Sequence, residues 1–149
     1  MSAMSAALLR ALEHVHGHLA WLSTLALYHP AVLLRRPRRR AVGAALSATA
    51  LVTATAALGA MLYPAYREHV KPAIFASSPL IGSLFERKEH LGVGAVILAW
   101  AGLSLHLGAR GEDPEARASR AAFVAYVGAA VFATLAATMG VIVAVFRTL

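Results

Sequence analysis

Seven histidines and a handful of carboxylates are the side chains of this 149-residue sequence best suited to chemistry. Cysteine is absent, which excludes thiolate ligands and disulfides. Four of the histidines, His14, His16, His18 and His29, fall in the apolar stretch 13–34, EHVHGHLAWLSTLALYHPAVLL. His14, His18 and His29 recur at intervals of 4 and 11 residues. At roughly 100° per residue, this gathers them within about 60° of one another on a helix. A second apolar stretch ends in His106, preceded by Gly92, Ala95, Ala99 and Gly102 at a spacing of 3, 4, 3 and 4.

Two imidazoles on facing helices are what a low-spin b-type haem requires. Small residues must stand beside one of them, because a porphyrin is wider than a helix contact. His29 and His106 are the expected axial pair, with Gly92 and Gly102 making room. His18 or His14 with His90 would serve a second haem at the outer level. His90 and His106 are sixteen residues apart, about 160° around one continuous helix, which favours one haem over two. The same imidazoles are equally suited to bonding a backbone carbonyl or a Ser/Thr hydroxyl.

A separate outer constellation combines carboxylates with imidazoles, a donor set that suits zinc, copper(II) or iron. Glu86, Glu89 and His90 stand at i, i+3 and i+4, and His69, His14, His16 and His18 can converge on them. ERKEH is also what a solvated, charge-paired helix start looks like. No Gly-rich phosphate loop, serine nucleophile elbow or HExxH motif is present, so a role other than catalysis is expected.

The elements that must position these residues are membrane spans. Of the sequence, 59% is hydrophobic and 14% charged, a balance that leaves little polar surface for water. Apolar runs at about 14–34, 41–63, 91–109 and 121–146 approach the ~20 residues needed to cross a bilayer core. The expectation is a single all-α membrane domain over 1–149: four transmembrane helices in an antiparallel up-down bundle, with an outer loop at 64–90. The five arginines of 35–40 retain the first span with its amino end outward. Lys and Arg number eight in the seventeen residues of 35–40 and 110–120, against four in the twenty-seven of 64–90. Both termini are therefore expected outside, in a cytoplasmic (inner) membrane crossed several times. The net charge of +7 reads as topology and as contact of Arg35–Arg40 with anionic lipid, not as a nucleic-acid surface. Small-residue faces on the second and fourth spans point to other membrane subunits or a homo-oligomer as partners.

Four spans with histidines at two depths resemble the four-helix membrane b-type cytochromes. In size and histidine placement the chain also resembles accessory and assembly proteins of respiratory oxidases. The first resemblance implies haem b, the second a protein partner. The expected function is a small accessory, anchor or assembly subunit of a respiratory membrane complex, with or without a b-type haem. The alternatives are a haem-binding, electron-transferring cytochrome b-like protein and an outer-face metal-binding membrane protein.

Overall fold

The computed structural model describes residues 6–36, 41–108 and 114–146. Five helices account for nearly all of them: α1 (Ala6–Leu34), α2 (Val42–His69), α3 (Lys71–Ser77), α4 (Pro79–Gly108) and α5 (Pro114–Phe146). Prolines mark three of the starts. Pro79 and Pro114 open α4 and α5, and Pro72 lies in the first turn of α3, where a missing N–H costs nothing. Ser78, immediately before Pro79, is extended at φ −157° and ψ 103°, as the proline ring demands of its predecessor. That single residue separates α3 from α4.

The four long helices form a ring in which α1 packs on α2 and α5, and α4 packs on α2 and α5. Cross-contacts show that neighbours run antiparallel. Ser23 of α1 meets Thr55 of α2, Thr49 of α2 meets the Ala99 carbonyl of α4, and Gly94 and Gly102 of α4 receive Phe132 and Tyr126 of α5. The core is dominated by alanine: Ala31, Ala45, Ala48, Ala95, Ala99, Ala122, Ala129 and Ala130 are all buried. Small side chains let the helices approach closely and gain van der Waals contact along their length.

Into this core projects one large side chain, Tyr126, which has no exposed surface. Its hydroxyl donates to the Ala45 carbonyl at 3.2 Å and lies 3.0 Å from Thr49 Oγ1, which in turn donates to the Ala99 carbonyl at 3.4 Å. Three helices are thereby joined through one phenol. Gly102 makes the seat, since a Cβ there would lie 2.9 Å from the ring.

Two expectations are corrected. Among the described residues three helices, not four, are long and apolar enough to cross a membrane: Val42–His69, Pro79–Gly108 and the Ser119–Phe146 part of α5. α1 falls short because Arg10, Glu13, four histidines, Ser23, Thr24 and Pro30 interrupt its leucines and alanines. The expected four spans with both termini outside thus give way to three candidate spans and a fourth bundle helix of mixed polarity. The stretch 64–90 is not an open outer loop either. It completes α2, forms α3 and supplies the first three turns of α4, and helix α2 continues through Pro64. A second apolar cluster of Ile74, Phe85 and Val143 ties this region to α5, with Tyr66 stacked on Phe85 at 4.3 Å between ring centroids.

Tyr126→Phe is expected to destabilise the purified protein by about 1–2 kcal/mol, because it removes the buried hydrogen bond from the phenol to the Ala45 carbonyl. Gly102→Ala is expected to cost at least as much by displacing the ring. Unfolding midpoints in mild detergent measure both; a Tyr126→Phe protein as stable as the wild type would remove the phenol from this role.

Candidate functional site

The inward or outward direction of each histidine decides what it can do. On α1 the buried face runs through Ser23, Leu27, Pro30, Ala31 and Leu34. His14, His18 and His29 lie on the other side and are exposed. His18 Nδ1 is 2.7 Å from the His14 carbonyl, a bond within its own helix. His106 is half-buried between α4 and α2, where its Nε2 accepts the Ala41 N–H at 3.3 Å. That N–H belongs to the start of α2 and has no helical partner of its own. His29 and His106 therefore do not face one another across an interior gap. Leu27, Ala31, Leu103 and Tyr126 belong to the core cluster that fills the bundle interior.

The small face of α4 is filled at one end and open at the other. Gly102 seats Tyr126, and Gly92 has nothing within 4 Å of the position a Cβ would take. Because α4 is continuous from Pro79, His90 and His106 lie on different faces of one helix. His90 is exposed and its Nδ1 is 2.8 Å from the Glu86 carbonyl. These residues do not form the cradle that a macrocycle between two imidazoles needs.

The outer metal constellation is not assembled. Glu86 accepts a hydrogen bond from Lys71 Nζ at 2.7 Å, and this pairing raises the Lys71 pKa above its ordinary value. His69 sits 3.9 Å from Glu68, both well exposed. Glu89 and His90 have neither His69 nor His14, His16 or His18 in a common set: among the described residues no group of three His, Asp or Glu side chains can hold a metal ion. Arg35 and Arg36 are exposed, and Arg38–Arg40 lie outside the described residues.

One histidine that spacing placed on the outer rim points inward. His16 continues the buried α1 face one turn beyond Ala20, and its ring lies against α2 so closely that a Cβ on Gly59 would be 2.8 Å from it. Its Nδ1 is buried with no hydrogen-bond partner among the described residues. Burial lowers the His16 pKa, the Lys88 charge lowers it further, and the Thr55 carbonyl opposes both. Lys88 is half-buried on α4. Its ammonium stands 4.6 Å from the centroid of the Phe85 ring, and its stem approaches Gly140 of α5. A signal for Lys88 was present in the sequence: the 3–4 spacing of Gly92, Ala95, Ala99, Gly102 and His106 extends back through Lys88 and Phe85.

No family model, curated protein or solved structure matches the chain. Beneath His16, the hydroxyls of Ser23 and Thr55 bond each other at 2.6 Å and cap carbonyls of α1 and α2. Elsewhere, a shallow apolar groove of about 600 Å³ lies between α4 and α5, lined by Leu98, Val124 and Gly128, with Arg120 among its residues. Neither feature presents a nucleophile beside a base.

A depressed imidazole pKa has a definite linkage sign. The folded state holds His16 neutral, so its contribution to stability is complete above the unfolded value near pH 6.5. It is lost as pH falls from there through the folded pKa. The unfolding midpoint in detergent should accordingly drop between pH 7.5 and 5.5, and His16→Gln should flatten that dependence. An unchanged pH profile in the variant would assign the effect to other groups.

Proposed function

We propose that this chain is a small accessory or anchor subunit that holds a larger membrane complex together through the outward face of α1. The observation that supports it is a seam. His14, His18, Trp21, Leu25, Tyr28 and Val32 recur at intervals of 4, 3, 4, 3 and 4. All six are exposed, Leu25 to 65% and Val32 to 61%. A heptad-spaced stripe of this kind is what one helix offers to another.

Polarity favours protein over lipid as the cover for this face. The chain is a multi-pass membrane protein by the length and apolarity of three helices, and their exposed leucines, valines and isoleucines suit lipid tails. α1 packs into the same bundle, yet its free face carries His14, His18 and His29. Imidazoles are costly against hydrocarbon and acceptable against a partner that hydrogen-bonds them. Trp21 and Tyr28 supply large, rigid contact area.

The membrane is of the cytoplasmic type in this reading, with anionic headgroups gathered at Arg35–Arg40. Haem forms no part of this reading, because His29 is exposed and His106 accepts the Ala41 N–H. Enzymatic activity forms no part of it.

Leu25→Arg tests the seam, because Leu25 is the most exposed large residue in it. Wild-type protein in mild detergent should elute with a stoichiometric membrane partner. The variant should elute alone at the mass of one chain while keeping the wild-type helical content. A wild-type monomer with no companion would overturn the proposal. A mass of two chains reduced to one by Leu25→Arg would make the partner a second copy.

A further inference from the structure

At the end of the bundle where α1 begins, the inward faces of all four long helices meet in a layer unlike the alanine layers beneath it. α1 contributes His16, α2 Gly59, α4 Lys88 and α5 Gly140. Each lies one or two turns beyond a buried run: Ser23 and Leu27 on α1, Val52 and Thr55 on α2, Ala95 and Ala99 on α4, Ala133 and Ala137 on α5. The layer thus combines two nitrogen-bearing side chains with two residues that have no side chain. Gly59 is closed off by the imidazole, whereas the position of a Cβ on Gly140 meets nothing nearer than Lys88 Cδ at 3.9 Å.

Charge in this layer is unbalanced. Lys88 has no carboxylate within ion-pair distance among the described residues, where the ion pairs are His69–Glu68 and Lys71–Glu86. Glu89 is its chain neighbour, and adjacent residues on a helix do not face each other. The Phe85 ring, 4.6 Å from the ammonium, offers a weak cation–π contact in place of a carboxylate. The Lys88 charge acts on the His16 ring, whose buried Nδ1 has no hydrogen-bond partner among the described residues. A half-buried cation at the edge of a membrane span and an unsatisfied imidazole nitrogen both cost free energy, and a single oxyanion relieves both.

We propose that His16 and Lys88 form a binding site for a phosphate-type oxyanion at this end of the bundle. The ammonium donates to one oxygen, and Nδ1 donates to a second when the ring carries its proton there. No bond is made or broken. Lys88 and His90 immediately precede the apolar run 91–108 of α4, the depth at which lipid phosphates lie, so a phospholipid headgroup is one source and free phosphate the other. The site is independent of the α1 seam, because His16 is on the opposite side of the helix from His14 and His18.

The test uses full-length protein, stripped of lipid in a non-ionic detergent. Its unfolding midpoint is followed during titration with dioleoylphosphatidylglycerol in mixed micelles, with inorganic phosphate, and with dioleoylphosphatidylcholine as the baseline lipid. Wild type is expected to be protected saturably by phosphatidylglycerol above the phosphatidylcholine baseline. Lys88→Met should raise the half-saturation point about tenfold, the loss of one charge-assisted hydrogen bond and its charge. His16→Gln should weaken it less. Lys88→Arg should retain protection, and Arg120→Gln, at the opposite end, should leave it unchanged.

Replacing a half-buried cation by methionine is compatible with folding, and the Lys88→Arg and His16→Gln pair decides the matter if Lys88→Met fails to fold. Lys88-dependent protection by phosphatidylglycerol alone assigns the oxyanion to lipid; equal protection by inorganic phosphate assigns it to the free anion. Protection that is absent, or unchanged in both Lys88→Met and His16→Gln, overturns the site.

Discussion

The phenol of Tyr126 sets the distances in this bundle. With no exposed surface, it reaches from α5 to the Ala45 carbonyl and Thr49 hydroxyl of α2, and Thr49 continues to the Ala99 carbonyl of α4. An alanine core alone would let helices slide along one another, because methyl groups form a nearly smooth surface. A hydroxyl that must be satisfied in a dry interior fixes both register and rotation. Helix α1 is held by a smaller version of the same device, the Ser23–Thr55 pair at 2.6 Å. Helix orientation in turn fixes which side chains of α1 and α4 point inward.

Orientation is the property that one-dimensional spacing leaves open. On α1, His14, His18 and His29 form one stripe, whereas His16, Ser23, Leu27 and Leu34 form another, and the sequence presents both with equal clarity. Which stripe meets the core depends on α2 and α5. The histidine-rich stripe faces out, and His16 faces the Gly59 notch. The small face of α4 was legible as a face, but its occupant was not, since the aromatic ring that fills it comes from a helix 24 residues further along the chain. His106 illustrates the same limit. Its imidazole accepts the Ala41 N–H, a structural use that a free N–H at the start of a helix invites.

Helix identity was more readable than helix number or extent. Long apolar runs rich in alanine and leucine specify helices whatever surrounds them. Whether such a helix is apolar enough for lipid depends on its weakest stretch, and in α1 that stretch is crowded with histidine, serine, threonine and proline. In 64–90 the prolines suggested a broken loop. Pro72 and Pro79 instead occupy helix starts, and Pro64 is accommodated within α2.

Many of the small residues are used within the chain. Gly102 seats Tyr126, Gly94 seats Phe132, Gly82 seats Phe75 and Gly59 seats His16, each so tightly that a Cβ would come within 3 Å of the ring. These glycines are notches for rings from neighbouring helices of the same molecule. Ala129, Ala133 and Ala137 of α5 are similarly consumed in the core. With these internal faces filled, the proposed partner surface is one whose spacing suits a helix and whose polarity is costly against lipid. On the outward side of α1, His14, His18 and His29 meet both conditions by facing away from the bundle.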